Sequence, residues 1–227
     1  FPIGISDFKI IIEDDYYYID KTLLIKEIIE STGQVILLPR PRRFGKTLNL
    51  SMIKYFFEKK EINNKHLFLK TNIWKEKEYQ ALHGKYPIIF LTFKDIKETC
   101  WENAYKKIIA IISEEFERYY LLFRKDLLPH VLDEFESILR KTADEVTFSR
   151  SLFLLSKLLY KLYNTRVIIL IDEYDAPIHA GYNYGYYNEI VQFMRSLLTS
   201  ILKDNLYLEK GILTGILRTS KEGIFSG

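Results

Sequence analysis

Two short stretches of this chain place basic, hydroxyl and carboxylate side chains in an order that suits phosphate chemistry. The first is Arg40-Pro41-Arg42-Arg43-Phe44-Gly45-Lys46-Thr47, which follows the apolar run Val35-Ile36-Leu37-Leu38 and precedes a helical pattern. The second is Val167-Ile168-Ile169-Leu170-Ile171-Asp172-Glu173, a buried-strand pattern that ends in two carboxylates. A strand, a loop with Gly-Lys-Thr and a helix form the phosphate-binding context of a P-loop nucleotidase. The acidic strand adds a magnesium ligand and a candidate base.

The loop carries the groups that hold a polyphosphate. Gly45 allows close approach of the backbone, Lys46 can reach the β- and γ-phosphates, and the Thr47 hydroxyl can ligate Mg²⁺. The residues predicted to bind the nucleotide are Arg42, Arg43, Phe44, Gly45, Lys46, Thr47 and Leu48.

The loop also departs from the usual P-loop pattern. That pattern has a glycine where this chain has Arg40, and the next residue, Pro41, has no N–H to donate. Bidentate phosphate contacts from Arg40, Arg42 and Arg43 can compensate for the missing donor.

The acidic strand end offers the two carboxylates that hydrolysis needs. Ligands of open α/β sheets bind at the carboxyl ends of the strands. Asp172 is predicted to hold Mg²⁺ together with Thr47, and Glu173 is predicted to deprotonate an attacking water. Glu173 and Lys46 are therefore the predicted catalytic residues. Asp175, the third acid, is interpreted as a helix N-cap before a proline.

Simpler interpretations of the same residues stay open at this level. The loop could be a basic surface turn, and Asp172-Glu173 could be a solvated strand terminus. The fourth predicted strand ends in polar residues that an inserted strand would place beside the γ-phosphate. For any single one of them a structural role is favoured; they are Thr214, Arg218, Thr219 and Ser220.

The bulk composition indicates a folded α/β protein and excludes several classes. Of 227 residues, 48% are hydrophobic and 15% are aromatic, which fits one domain with a sizeable core. The net charge of +3 is too small to indicate nucleic-acid binding by itself. The single cysteine, Cys100, excludes an internal disulfide and fits a reducing compartment, so a cytoplasmic location is expected. No apolar stretch reaches the roughly 18 residues that span a bilayer, so no membrane association is expected.

A metal-dependent nuclease is not indicated within this chain. No separated Asp…Glu-x-Lys set lies on a predicted strand hairpin. The four histidines are scattered without zinc-ligand spacing; they are His66, His83, His130 and His179.

Periodicity predicts four strands interleaved with helices. The strands are expected over 34–38, 87–93, from 167 onward and over 212–217. Helices are expected over 21–30 with Asp20 as N-cap, after Gly45, throughout 100–163 and over 186–203, with an irregular connection over 60–86. This alternation predicts a parallel sheet covered on both faces.

Further motifs extend in order along almost the whole chain. They are Phe1-Pro2-Ile3-Gly4-Ile5-Ser6-Asp7-Phe8, Tyr18-Ile19-Asp20-Lys21-Thr22, Pro39 to Thr47, Pro87 to Asp95, Leu170 to Pro177, Leu213 to Leu217 and Ile224-Phe225-Ser226-Gly227. With these motifs the chain resembles the bacterial AAA-ATPase-like family, whose P-loop domain often precedes a PD-(D/E)XK nuclease-like domain.

The resemblance implies a fold and a domain organisation. The implied fold is a P-loop NTPase three-layer sandwich with a mainly parallel sheet of the additional-strand type. Its strand order is 5-1-4-3-2 or similar, with the fourth strand between the first and third. Residues 1–227 are then a single AAA-like domain with a helical insertion at about 100–163, and the family's helical lid and nuclease-like domain are expected to follow Gly227. The Asp20-Lys21 turn is expected near the nucleotide base.

Three functional hypotheses follow from these observations. The first is an ATPase that uses ATP and Mg²⁺ and drives or gates an attached or partner nuclease-like module. The second is a nucleotide-gated switch or binding module with little turnover. The third is an accessory domain that binds nucleic acid through Arg40, Arg42, Arg43 and lysines on the helices. A homo-oligomer is compatible with each, since rings are usual among AAA relatives.

Overall fold

A parallel four-stranded sheet forms the centre of the computed structural model, which describes residues 4–41, 44–60, 63–124 and 127–216. The strands lie in the order β1-β4-β3-β2, and each neighbouring pair is parallel. They are β1 (Val35–Pro39), β2 (Ile88–Thr92), β3 (Val167–Asp172) and β4 (Leu208–Gly215).

The strand order agrees only in part with the order implied by the resemblance. β4 lies between β1 and β3, which confirms the expected position of the fourth strand. The order 5-1-4-3-2 is not matched, because the described residues form four strands. The expected α/β class with a parallel sheet is confirmed.

Helices surround the sheet and supply most of the buried surface. Within the described residues they are α1 (Phe8–Glu13), α2 (Leu24–Glu30), α3 (Lys46–Phe57), α4 (Lys77–Gln80), α5 (Trp101–Glu117), α6 (Tyr120–Phe123), α7 (Pro129–Leu139), α8 (Glu145–Tyr163), α9 (Ala176–Tyr184) and α10 (Tyr187–Leu202). Two short 3₁₀ helices, Lys65–Leu67 and Asn72–Lys75, lie in the connection between α3 and β2. Among these described residues, every helix is too short or too polar to cross a membrane.

Side chains of β3 alternate between two separate apolar cores. Ile168 and Leu170 pack into a core formed with helices α1 to α3 and the connection before β2. Ile169 and Ile171 pack into the opposite core, which is formed mainly by α5, α7, α8 and α10. Because successive strand residues point to opposite faces, a strand buried on both faces reads as one continuous apolar run. The sheet is therefore the middle of three layers.

Within 100–163, the described residues form four α-helices, α5 to α8. Local signals explain their boundaries: Pro129 lies in the first turn of α7, and the Asp144 carboxylate accepts a hydrogen bond from the Thr147 N–H at the start of α8. Asn164 ends α8 in a left-handed conformation. Buried residues of α5 and α8 belong to one of the two cores against the sheet, so these helices form part of its covering layer.

Two local expectations were wrong. β4 begins at Leu208 and not at 212. The sequence pattern missed its first residues because the polar Lys210 interrupts the apolar run. In the structure Lys210 is buried, and its ammonium donates to the carbonyls of Ser31 and Gly33. Asp20 does not cap α2, which begins at Leu24.

The outer side of β2 is covered by side chains of α5 and of the residues just after it. β2 is an edge strand, and Phe90 N–H donates to the Glu115 carboxylate at 3.0 Å, while the Tyr119 hydroxyl donates to the Ile88 carbonyl. Arg118 pairs with Glu115 and with the buried Glu58 after α3. These contacts satisfy backbone groups that an edge strand would otherwise expose to another chain.

Burial raises the pKa of Glu115 to about 7, outweighing the lowering effects of Arg118 and the Phe90 amide. A carboxyl with a raised folded-state pKa binds more proton in the folded than in the unfolded state between its two pKa values. Its contribution to stability is present at low pH and is lost as the pH rises from the unfolded value through about 7. Glu115→Gln keeps an oxygen for the Phe90 N–H and removes the titration.

We therefore expect the unfolding free energy of the parent to fall with pH across this window relative to that of Glu115→Gln. The slopes of unfolding free energy against pH should differ by no more than the amount that corresponds to about one bound proton. Chemical denaturation at pH values across this window measures the slopes, and the exposed Glu117→Gln is the control that should follow the parent. Parallel parent and Glu115→Gln curves would contradict the prediction.

Candidate functional site

The carboxyl ends of all four strands lie at one edge of the sheet, because the strands are parallel. β1 leads from this edge into the loop before α3, and β3 ends there at Asp172. This edge is where open α/β sheets bind ligands. The two stretches identified in the sequence therefore meet at the expected place.

The loop ends in a glycine whose backbone conformation suits few other residues. Gly45 has φ 73° and ψ 25°, and a Cβ at this position would meet nothing within 4 Å. Glycine is therefore favoured by the left-handed backbone, not by lack of space. The chain then enters α3 at Lys46, and the Asn49 N–H donates to the Gly45 carbonyl.

The amino end of α3 presents backbone donors to the site. The first N–H groups of a helix have no partner within the helix, and its dipole favours an anion there. Thr47 and Leu48 contribute such N–H groups, while the Leu48 side chain packs against the core. Phe44 is exposed beside the loop. Arg42 and Arg43 lie outside the described residues.

Lys46 lies between the loop and the acidic strand end. Its side chain is 5% exposed, and its ammonium donates to the Pro41 carbonyl at 3.3 Å. The same nitrogen lies 4.0 Å from an Oε1 of Glu173. A buried positive charge is thus held beside the helix terminus, where it would reinforce the attraction for a phosphate.

Asp172 is fully buried and accepts hydrogen bonds from hydroxyls of three other elements. Thr47 donates to Oδ2 at 2.7 Å and Thr214 donates to Oδ1 at 2.5 Å. Thr92, at the end of β2, lies 3.4 Å from Oδ2. These contacts connect α3, β2 and β4 to the end of β3.

Glu173 has a backbone conformation that is uncommon for residues other than glycine. Its φ is 50°, in the left-handed region, which costs roughly 1–2 kcal/mol for an L-residue. Its N–H donates to the Thr214 hydroxyl at 3.3 Å. Its side chain is 26% exposed, in contrast to that of Asp172. The carboxylate can therefore meet water at the edge of the site, as a general base must.

An open cleft of about 350 Å³ extends from the loop towards the amino-terminal segment. Its wall combines apolar and polar side chains, including those of Lys21, Leu24, Glu27, Leu38, Phe44 and Asn49. Lys21 and Lys46 line the same cleft. Asp20 instead accepts from Thr22 and from the Asn72 N–H at 2.7 Å, so it attaches this segment to the connection before β2.

The oxygen ligands at the sheet edge fit Mg²⁺ in character and number. Thr47 and Asp172 bring a hydroxyl and a carboxylate oxygen within 2.7 Å of each other. Across the described ranges no group of three or more His, Cys, Asp or Glu side chains is placed to hold a metal ion. Mg²⁺ usually keeps several waters and binds through one or two carboxylates plus substrate phosphates, so a site completed by phosphate fits these residues.

Sequence reasoning placed some site residues poorly. Thr92 was not singled out, although a hydroxyl that ends the strand next to Asp172 could have indicated it. Thr214, for which a structural role is favoured from the sequence, forms hydrogen bonds with both Asp172 and Glu173. Asp175 is the N-cap residue of α9 by position, but its side chain makes no cap hydrogen bond there. Arg218, Thr219 and Ser220 lie outside the described residues.

Comparison with known proteins gives one family and one distant relative. A family model described as "Predicted AAA-ATPase" matches residues 2–225. A protein described as "Uncharacterized protein in vnfD 5'region", from Azotobacter chroococcum mcd 1, is 28% identical over 233 residues. The match covers 100% of this chain and 39% of that relative, so the chain spans about two fifths of its length. No solved structure matches.

Thr214→Val should lower the unfolding free energy, because it removes a hydroxyl from a fully buried carboxylate while nearly keeping the side-chain volume. A lost hydrogen bond to a buried charged group costs about 1–3 kcal/mol. Denaturant unfolding at neutral pH measures the change. The matched control is Thr142→Val, whose hydroxyl bonds the Ser137 carbonyl at an exposed position and should change stability by less than about 0.5 kcal/mol. Equal losses in the two variants would contradict the prediction.

Proposed function

Because the chain belongs to the predicted AAA-ATPase family, we propose that the sheet edge described above binds ATP with Mg²⁺ and hydrolyses it. Family membership supports nucleotide binding in general. The observation that carries the proposal is the contact between Thr47 and Asp172, which lie 125 positions apart in the chain and meet at 2.7 Å beside Lys46. A chance Gly-Lys-Thr in a surface turn would have no reason to meet a buried acidic strand.

The loop and the α3 terminus hold the triphosphate in this proposal. The N–H groups of the first turn of α3 donate to phosphate oxygens, and Lys46 exchanges its Pro41 carbonyl contact for the β- and γ-phosphates. Thr47 and Asp172 hold Mg²⁺, which when bound supplies positive charge to the phosphate oxygens. Arg42 and Arg43 are proposed as further phosphate contacts.

Glu173 acts as the base in the proposed hydrolysis. Its carboxylate accepts a proton from water as the water oxygen attacks the γ-phosphorus. The bond between that phosphorus and the bridging oxygen breaks, and ADP and phosphate result. Lys46, 4.0 Å from the Glu173 carboxylate, lies where it can stabilise the charge that develops on the transferred group.

The base of the nucleotide is proposed to lie in the cleft between the loop and α2. Leu24, Leu38 and Phe44 offer apolar contact for a flat ring, and Lys21 and Glu27 offer polar groups at its rim. Cofactor sites commonly combine mostly apolar walls with a few polar groups that fix orientation. The family description is the support for proposing ATP and not GTP as the nucleotide.

ATP turnover is proposed to drive or gate an attached or partner module of the nuclease-like kind. The support is the length of the distant relative, of which this chain spans 39%. Such a relative has room for further domains. Contact with nucleic acid would then be indirect, through that module, and a homo-oligomeric assembly is compatible with the site.

Lys46→Ala should weaken ATP binding, because it removes a charged donor aimed at the phosphates. The expected loss is about 10- to 100-fold in Kd, from a charge-assisted hydrogen bond worth about 1.5–3 kcal/mol. Calorimetry with Mg²⁺-ATP measures Kd, and GTP in a parallel titration tests the base preference. Lys203→Ala, at an exposed position after α10, is the control that should bind as the parent does. A parent that does not bind ATP would contradict the proposed function.

Glu173→Gln should separate binding from turnover. The amide cannot accept the proton, so we expect kcat to fall by about 10²- to 10⁴-fold while the Kd for ATP stays close to that of the parent. Phosphate release under saturating Mg²⁺-ATP measures kcat, and the exposed Glu189→Gln is the control. Unchanged hydrolysis in Glu173→Gln would rule out Glu173 as the base. A parent that binds ATP without hydrolysing it would favour the switch hypothesis.

A further inference from the structure

The turn that follows β3 is attached to the end of β4 by three hydrogen bonds. The Glu173 N–H donates to the Thr214 hydroxyl at 3.3 Å, and the Tyr174 N–H donates to the Thr214 carbonyl at 3.1 Å. The Ile216 N–H donates to Oδ2 of Asp175 at 2.8 Å. Glu173, the proposed general base, is thus the first residue of a turn that is hydrogen-bonded to the end of β4 at successive positions.

Asp175 makes the contact that closes this attachment. Its side chain is 1% exposed, and its carboxylate faces β4 instead of capping α9. His179, one turn later on α9, places Nε2 3.8 Å from the same Oδ2 and is half exposed. A buried carboxylate that accepts a backbone N–H links two segments, because breaking the bond would remove a hydrogen bond from a buried charged group.

Gly215 shows how closely the two segments approach. A Cβ added there would lie 2.8 Å from Oδ1 of Asp175 and 2.8 Å from Cε1 of the fully buried Tyr174. Gly215 does not have a positive φ, so its backbone would accept other residues. Lack of space against Tyr174 and Asp175 is therefore the reason that this position needs glycine.

Glu173 lies at the boundary between two cavities. Its carboxylate is 4.0 Å from Lys46, which lines the nucleotide cleft. Glu173 also lines a second open groove of about 500 Å³ on the other side, together with Lys94, Asp175 and His179. The direction of the Glu173 carboxylate between these two cavities therefore depends on the conformation of the turn that carries it.

We propose that Asp175 is a positioning residue for Glu173. Through the Ile216 N–H, and with the close contact at Gly215, it holds the turn after β3 in the left-handed conformation that directs the Glu173 carboxylate towards the attacking water. Left-handed backbone at a non-glycine residue persists only where its surroundings enforce it, and these contacts are the enforcement. This inference rests on the proposed function, because it assigns a role in the same hydrolysis.

The test compares Asp175→Ala with Asp175→Asn. The asparagine keeps an oxygen that can accept from the Ile216 N–H, whereas alanine removes the acceptor. We expect Asp175→Ala to lower kcat by about 10- to 100-fold, the usual effect of a misplaced catalytic group, with an unchanged Kd for ATP. Asp175→Asn should retain kcat within about three-fold of the parent, because a neutral amide oxygen replaces the carboxylate in the same hydrogen bond.

Two further variants keep the test decisive. Gly215→Ala introduces a methyl group that the turn cannot accommodate, so it should lower kcat without weakening ATP binding. This variant still tests the inference if Asp175→Ala fails to fold. His179→Ala removes a neighbour on the exposed side of Asp175 and should leave kcat unchanged. Dividing turnover by the number of ATP sites from calorimetry removes the effect of misfolded protein, which lowers binding and turnover together.

The outcomes distinguish this inference from the proposed function. A parent that hydrolyses ATP together with an Asp175→Ala variant of equal kcat would overturn the positioning role alone. The same holds if Asp175→Asn loses as much kcat as Asp175→Ala, since the hydrogen bond would then not be the cause. A parent that does not hydrolyse ATP would overturn both proposals. Lower kcat with retained binding in Asp175→Ala and Gly215→Ala, rescued in Asp175→Asn, would support the inference.

Discussion

A carboxylate buried away from water must find hydrogen-bond donors within the protein, and Asp172 finds them on three other elements. Hydroxyls of Thr47 and Thr214 donate to its two oxygens, and the Thr92 hydroxyl lies at 3.4 Å. An unsatisfied buried charge would cost several kcal/mol, so the carboxyl ends of the central strands and the start of α3 are constrained to meet. The arrangement of the candidate site follows from this single requirement.

Burial also separates the roles of the two adjacent acids. Asp172 has no exposed surface and accepts hydrogen bonds from hydroxyls, which suits the role of a fixed Mg²⁺ ligand proposed for it with Thr47. Glu173 is partly exposed beside Lys46 and belongs to the turn that β4 holds. Strand and turn thus give neighbouring residues different environments, and a different environment is what allows two carboxylates to act differently.

The covering layers support the site from both sides. On one face, helices α1 to α3 bury the loop-bearing side of the sheet, and on the other face α5, α8 and α10 bury the opposite side. Glu115 of α5 and Tyr119, just after α5, also satisfy outer backbone groups of β2, the strand that ends at Thr92. Residues far in sequence from the loop before α3 therefore help to position the strand that carries the Thr92 hydroxyl.

The sequence by itself determined the elements whose signal is local. The doubly buried β3, the loop before α3 and its glycine, and the amphipathic helices were all predicted, since strand alternation, helical periodicity and turn residues act over a few positions. Only the tertiary structure decided which hydroxyls converge on Asp172, that Lys210 belongs inside β4, and that Asp175 bonds to Ile216 instead of capping α9. Each of these depends on a partner distant in the chain, and no periodic pattern records where a buried polar group finds its partner.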